Sequence, residues 1–424
     1  MRRSERSPIP SNRCGGDTSR QCRIVDHHFV VNRLVAYRAV TLPHEPPGVG
    51  DPRPLPVVRA MIDALDRDLL QILARRMALV AEVAAYKRKH GLRIRDAWRE
   101  QDVLRDRHER ALELGLPADE IESIFRVLLR SSRDHQAALR AEVPVDEAAR
   151  TIAVIGGHGG IGRLLVRLFG DLGHRVLVVD TDTTLRGAEA AAAADVTVVS
   201  VPIDRTERVV REIGPHLRPE SLLMDVTSIK CAPMAAMLES TTASVVGTHP
   251  MFGPGVHTLQ GQRVVLCRGR GDEWGEWVRQ TFAARGLVVT ETSAEQHDRA
   301  MAVVQVLTHF QTQVQGLTLA RLGMPLSETM PFTSPAYLLE LYVAARHFAQ
   351  DPGLYGPIEM RNPQSGEVTA AFGRSVQELA QVIAEGDQPA FTRLFEEVRA
   401  FFGDFTAEAL VQSSFLIDRI VERN

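Results

Sequence analysis

The chain is short of cysteine, short of aromatic residues and without a long apolar run. Its four cysteines, Cys14, Cys22, Cys231 and Cys267, form no C-x-x-C pair. That spacing argues against a disulfide framework and offers no metal site, and it fits a reducing cytoplasm. No stretch approaches the roughly 20 apolar residues that a membrane span requires. With 50 basic and 53 acidic side chains the net charge is −3, so the overall balance points to neither nucleic acid nor an anionic membrane. What the chain does have is bulk. Its 424 residues, 44% apolar and 24% charged, have the composition of a soluble globular protein with room for several domains.

Residues 1–56 differ from the rest. They are rich in Arg, Pro, Ser and Gly and carry no sustained period, so a disordered extension is expected. They contain no uninterrupted apolar core of a signal peptide. Their arginines leave an organelle transit peptide open, and Asp17, Asp26 and Glu45 count against one. An over-extended start of translation would look the same.

Residues 57–142 are expected to be helical. Ile62, Leu65, Leu69, Leu73, Val80 and Val83 recur at three- and four-residue steps, with one longer gap, and Gly91 ends the run. A second helix is expected from Asp96 to Leu114, stopping at Gly115. A third starts at Pro117, with Ile121, Ile124, Phe125, Leu128 and Leu129 on its apolar stripe. Three helices of such unequal length close poorly around one core, but two copies could complete each other. Arg76 and Lys87 share a helix face about 16 Å apart, and Arg59 lies about 25 Å before Arg76. Arg59 is then either a surface residue or one that serves a partner subunit. By itself such a charge set reads as a solvated helix face.

After a short polar linker containing Pro144, residues 150–292 read as a Rossmann-like, doubly wound α/β domain. Thr151–Ile155 is a β-branched strand, followed at once by Gly157-His-Gly159-Gly160-Ile161-Gly162 and then by helical spacing. Strand, glycine turn and helix in that order form a dinucleotide-binding fingerprint. Gly157 is expected to permit the tight turn, Gly159 to let a pyrophosphate approach, and Gly162 to let helix pack on strand. Gly160 and Ile161 belong to the same turn as candidate cofactor-binding residues, and the helix that takes up its spacing at Arg163 offers free N–H groups to the phosphates. Asp180 ends the next strand, where an acid holds ribose hydroxyls and selects NAD over NADP. Further strands are expected at 196–201, 222–226, near Val245, 263–267 and 287–290, building a parallel sheet. Two loops fall at strand ends, where such sheets bind ligands. One is Thr227-Ser228-Ile-Lys230 and the other, rich in Gly and Pro, carries His249. A histidine in such a loop is either structural or a proton acceptor, and Lys230 either lines the same pocket or is exposed. From Ser293 the pattern is expected to be helical almost to the end, and Arg346 by itself reads as a surface salt bridge.

The helical module resembles the all-helical chorismate mutase family. The match runs through Arg59-x6-Asp66, Ala74-Arg-Arg76, Lys87, Arg95-Asp96-x-x-Arg99-Glu100, Ser132 and Gln136. Gly-x-His249-Pro-Met-Phe-Gly-Pro, with Ser228-Ile-Lys230 before it and Thr333-Ser-Pro-x-Tyr337 after it, is similar to the prephenate dehydrogenase family. The two in tandem resemble the bifunctional fusion of those activities. Such a protein has an all-α mutase module, a Rossmann-like domain and an all-α C-terminal dimerisation domain.

The resemblance implies a homodimer that rearranges chorismate to prephenate and then oxidises and decarboxylates prephenate with NAD to 4-hydroxyphenylpyruvate. The first step is pericyclic and needs charge and shape rather than an acid, base or nucleophile. It implies Arg76, Arg99 and Ser132 on the carboxylates, with Arg59 from the second subunit. Lys87 and Gln136 would face the ether oxygen, and Glu100, with the Asp96 backbone, would hold the ring hydroxyl. For the second step it implies His249 as base, Ser228 orienting His249 or the hydroxyl, Lys230 in the same pocket, and Arg346 on a prephenate carboxylate. His309 would serve substrate or an inhibitory tyrosine, and His297 falls on a family position. Thr308, Leu338 and Gly255 depart from the pattern. Two other readings remain: an arogenate dehydrogenase with a vestigial mutase, and a non-catalytic regulator that binds an aromatic ligand. Intact Lys87, Glu100 and Gln136 argue against the second.

Overall fold

The computed structural model describes residues 53–90, 94, 96–141, 148–256 and 258–421. The expected disordered extension therefore falls almost wholly outside the described residues, as do Arg95, Gly91 and most of the linker.

Three helices come first: α1 (Leu55–Lys89), α2 (Ala97–Glu113) and α3 (Ala118–Ala141). Asp96 caps α2, its side chain accepting the Arg99 N–H at 3.0 Å, and Gly115 closes that helix region at φ 67°. Much of the apolar stripe of α1, including Leu65, Leu69, Leu70 and Leu79, is exposed in the single chain.

The α/β domain is a seven-stranded sheet in the order β2-β1-β3-β4-β5-β6-β7. Its strands are β1 (Thr151–Ile155), β2 (Arg175–Val179), β3 (Val196–Val199), β4 (Leu222–Asp225), β5 (Ser244–Pro250), β6 (Arg263–Arg270) and β7 (Val288–Glu291). Between them run α4 (Gly160–Asp171), α5 (Gly187–Ala193), α6 (Ile203–Ile213), α7 (Cys231–Ser240) and α8 (Asp272–Ala284). The strand period of two sorts their side chains to opposite faces. Ile152, Val154, Val198 and Met224 pack with Leu165, Phe169, Trp277 and Phe282 of α4 and α8. Ala153, Ile155, Val199 and Leu223 pack with Ala190, Val210, Ile213 and Met237 of α5, α6 and α7. A sheet covered on both faces is what near-continuous apolar strands require.

Two details differ from the sequence reading. The sheet is mixed, because β6 pairs antiparallel to β5 and carries β7 with it. And β5 continues through Pro250, so His249 is a strand residue opposite Val265 rather than a loop residue.

From Ser293 the described chain is helical. The helices are α9 (Ala294–Met301), α10 (Thr308–Leu322), α11 (Leu326–Thr329), α12 (Pro335–Phe348), α13 (Pro352–Arg361), α14 (Ser365–Glu385), α15 (Gln388–Phe402) and α16 (Phe405–Val421). A π-helical turn, Ala302–Leu307, joins α9 to α10. Large apolar residues of α14 to α16, among them Ile383, Phe401 and Leu410, are exposed. Among the described residues no helix is long and apolar enough to cross a membrane.

Candidate functional site

The glycine turn sits between β1 and α4, where the order of strands reverses on either side of β1. The tight turn falls one residue earlier than expected. Gly156 has φ 84°, and a Cβ there would lie 2.3 Å from the Ser200 carbonyl oxygen. Gly157 takes an ordinary φ and is confined instead by Val178. A Cβ at Gly162 would meet the Gly156 oxygen at 2.0 Å, so this glycine lets α4 close onto the turn. Gly159 is the N-cap of α4, Gly160 lies against Pro254 of the loop after β5, and Ile161 packs into the sheet core. Asp180 reaches back to this turn and accepts the His158 N–H at 2.8 Å. Burial alone would raise the Asp180 carboxyl, but hydrogen bonds from the Thr181 and His158 N–H groups outweigh it and hold the pKa below its ordinary value. An ionised acid beside a bare helix N-terminus fits a dinucleotide, with its phosphates on the helix and its ribose on the acid.

The second cluster is built where β5 meets α9. His249 is only 3% exposed. Its Nδ1 lies 2.9 Å from His297 Nε2, and His297 Nδ1 lies 2.8 Å from Asp298 Oδ1. A carboxylate only accepts, so His297 carries its proton on Nδ1 and accepts at Nε2. His249 must then donate from Nδ1, and its Nε2 is left as the acceptor. Gln305 Nε2, at 3.4 Å from that atom, agrees with this tautomer. Asp298 is fixed in turn by the N–H groups of Lys230 and Cys231 at the start of α7, at 2.7 and 2.9 Å. Asn362 Nδ2 donates to its carbonyl at 2.8 Å. Burial pulls the pKa of His249 well below its ordinary 6.5, aided by His297 and Lys230 and opposed by Asp298. At neutral pH the ring is an uncharged base.

For Lys230 the expectation is corrected, and for Ser228 it narrows to the substrate hydroxyl. Lys230 neither lines a substrate pocket nor is exposed. Its side chain is 0% exposed and donates to Asp225, to Thr227 Oγ1 at 3.3 Å and to the Thr248 carbonyl at 2.7 Å. An ammonium sealed in that way pins the β4 and β5 ends together. Ser228 is half-buried on its loop, and among the described residues the partners of the His249 ring are His297 and Gln305, not Ser228.

His309 follows about one turn after Gln305 and joins a third group. Its ring lies 4.8 Å from Tyr355 and 5.5 Å from His347, and Nδ1 is 3.9 Å from Glu359. Gln313 donates to Glu359 at 2.7 Å. Burial, then His347, pushes His309 down to about 4. Arg346 is exposed on α12, and its charge is felt by the Tyr355 phenol. Leu338 is buried.

In the helical module, Arg76 on α1 donates to Ser132 Oγ at 2.6 Å, and Ser132 donates to the Leu128 carbonyl at 2.6 Å. Burial and then Arg107 lower the pKa of Arg76. Lys87 Nζ donates to the Ile94 carbonyl at 2.6 Å. Gln136 is buried; its Nε2 donates to the Ser132 carbonyl at 3.2 Å and its Oε1 has no partner among the described residues. Glu100 accepts from Arg133 at 2.7 Å. Arg99 is not brought to this group. Its side chain is 67% exposed and pairs with Asp102 one turn away, a consequence of lying on the outer face of α2. The Asp96 side chain is engaged as a helix cap, and Arg59 is exposed on the first turns of α1.

Gly156, Asp298, Gln305 and Asn362 are the residues that sequence reasoning did not assign to these sites, and His297 falls on a family position without a role. The left-handed glycine stands immediately before the motif. The others share no local pattern with His249 and meet it only through the fold.

Three families match successive parts of the chain. Residues 58–137 match chorismate mutase type II, residues 171–291 the prephenate dehydrogenase nucleotide-binding domain, and residues 293–397 the prephenate dehydrogenase dimerization domain. The chain is 34% identical to the T-protein of Haemophilus influenzae over 362 residues, 85% of this chain and 96% of the relative. It is 35% identical to the T-protein of Enterobacter agglomerans over 365 residues, covering 86% and 97%. In fold it is similar to a solved structure of prephenate dehydrogenase from A. aeolicus in complex with hydroxyphenyl propionate and NAD+. That likeness has a TM-score of 0.50 at 16% identity and spans 60% of this chain and 98% of the other. With a mutase and a dinucleotide-binding dehydrogenase joined in one polypeptide, the chain belongs to the T-protein family, the bifunctional chorismate mutase/prephenate dehydrogenases of tyrosine biosynthesis.

Proposed function

We propose that His249 Nε2 is the base of the dehydrogenase and that the chain uses NAD. The observation that carries the reading is the directed chain Asp298–His297–His249, which leaves one buried, neutral ring nitrogen as acceptor. When bound, the dinucleotide supplies the hydride acceptor for the carbinol carbon of prephenate. His249 takes the hydroxyl proton, and the charge that develops on its ring is stabilised through His297 by Asp298. Burial of this chain keeps water from competing for the base. Ser228 remains a candidate for the substrate hydroxyl, Arg346 for a prephenate carboxylate, and His309 for substrate or an inhibitory tyrosine. NAD over NADP is supported by the ionised Asp180, which would repel a 2′-phosphate.

For the mutase, Arg76 and Ser132 are proposed as carboxylate ligands, and their mutual hydrogen bond supports a shared task. Arg99 and Arg59 join them if the substrate draws Arg99 from Asp102 and a second subunit brings Arg59. Lys87 and Gln136 are assigned to the ether oxygen, and Glu100, with the Asp96 backbone, to the ring hydroxyl. The three units are proposed to occupy residues 57–142, 150–292 and 293–424. A homodimer is supported by the exposed apolar faces of α1 and of α14 to α16. Free thiols at Cys231 and Cys267 suit a cytoplasmic setting.

One assay tests the whole reading: chorismate and NAD+ are supplied, and prephenate, NADH and 4-hydroxyphenylpyruvate are followed together. All three are expected in sequence. Oxidation of arogenate alone, or turnover only with NADP+, would overturn the corresponding assignment.

A further inference from the structure

His158, between the first two glycines of the motif, is tied to the end of β2 by both its backbone and its ring. Its N–H donates to Asp180 Oδ2 at 2.8 Å, and its Nδ1 lies 2.8 Å from Asp182 Oδ1. The N–H groups of Gly156 and Gly157 both donate to the Val179 carbonyl, at 2.8 and 3.1 Å. The glycine turn and the loop after β2 are therefore laced together, and two carboxylates, Asp180 and Asp182, stand on the same side of the turn. Asp180 has a role in the reading above; Asp182 has none. Its side chain is 70% exposed and that of His158 is 48% exposed. So open an ion pair contributes little to stability. What it does is orient a charged group towards a phosphate-binding loop.

We propose that Asp182, anchored by His158, is a second carboxylate at the ribose end of the dinucleotide site and helps to reject a 2′-phosphorylated cofactor. The inference rests on the NAD reading. Asp180 alone must serve two ends: accepting from ribose hydroxyls and accepting from the His158 and Thr181 N–H groups. Those N–H groups offset part of its charge. Asp182 accepts instead from one ring nitrogen of His158, where Asp180 accepts from two backbone N–H groups, so its charge is less offset, and a phosphate adds up to about two negative charges.

Calorimetric titration of the full-length protein with NAD+ and with NADP+ tests this without reference to turnover. Asp182→Asn is expected to tighten NADP+ binding about tenfold, the order of magnitude for removing one unit of repulsion a few ångströms away near a surface. NAD+ affinity should change far less. Asp180→Asn should weaken NAD+, and His158→Ala, which frees Asp182 but leaves its charge, should gain NADP+ clearly less than Asp182→Asn. If Asp182→Asn and its companion Asp182→Ser leave NADP+ affinity unchanged while Asp180→Asn raises it, the role of Asp182 is wrong and the NAD reading stands. An equal gain in His158→Ala would show that the pair only shapes the loop, which also overturns the proposal. Equal affinity of the unaltered protein for both dinucleotides would overturn the NAD reading itself.

Discussion

His249 Nδ1 and His297 Nε2 are 2.9 Å apart, with ring planes inclined at 68°, edge to face. That contact joins a sheet strand to the first helix of the C-terminal region and turns a lone histidine into the end of a relay. If His249 Nε2 takes the substrate proton, His249→Asn keeps prephenate affinity and loses about 10²–10⁴ in dehydrogenase turnover, the range for general-base catalysis. Pre-steady-state NADH formation with prephenate binding measured in parallel checks it. A variant with full rate rejects the assignment.

Asp298 acts at one remove. Asp298→Asn can present a donor where His297 needs an acceptor, which inverts the tautomers of both rings and places a proton on His249 Nε2. Turnover should fall about 10–100-fold, the usual cost of disturbing a residue that orients a reacting one, with KM nearly unchanged. Proton NMR of the ring N–H signals should show the altered tautomer. An unaltered spectrum with an unaltered rate would falsify the relay.

The lowered pKa of His249 fixes the direction of the pH dependence. The base works when neutral, so the acid limb of kcat/KM should lie below the ordinary histidine value of 6.5. Stability follows the same sign. His309 is held down to about 4 in the folded chain, while the unfolded chain protonates near 6.5. The unfolded state then binds more protons between those values. Stability is present above about 6.5 and is lost as pH falls towards about 4. Urea titrations at pH 7 and pH 5 should show the lower midpoint at pH 5, and His309→Gln should narrow the difference.

How much of this was legible depended on distance along the chain. The strand, glycine turn and helix around Gly156 to Gly162 are local, and their order survives in the structure. His249 was visible as a residue but misplaced. Gly247 and Pro250 read as loop breakers, yet pairing with β6 carries the strand through both. His297 lies 48 residues from His249, so no period or spacing connects them. For Lys230 a signal did exist: Asp225, five residues earlier at the strand end, is its buried partner. The mutase charges share one helix face in the sequence, but the pairing of Arg76 with Ser132, 56 residues on, required the fold.

That buried pair leads to a stability prediction. Lys230→Met leaves the Asp225 carboxylate sealed from water with no cation, which should cost about 3–5 kcal/mol. Adding Asp225→Asn removes the stranded charge and should recover part of the loss. Thermal unfolding of both variants decides. Full stability in Lys230→Met, with only prephenate KM raised, would return Lys230 to the substrate pocket.

Lys87 separates the two activities. Its ammonium donates to the Ile94 carbonyl at 2.6 Å, which fixes its head at the end of α1. A pericyclic rearrangement offers the protein one place to act electrostatically, the ether oxygen that gains charge as its bond breaks. Lys87→Ala removes a cation there, and the loss of a single such donor typically costs about 10²–10³ in turnover. Chorismate should still bind through Arg76 and Ser132, so KM should move less than kcat. Prephenate supplied directly should still be oxidised at the normal rate, because the hydrogen-bonded residues of the His249 relay, His297, Asp298 and Gln305, all lie outside the mutase segment 58–137. A mutase rate left intact by Lys87→Ala would remove Lys87 from the catalytic set and leave charge stabilisation to Gln136 alone.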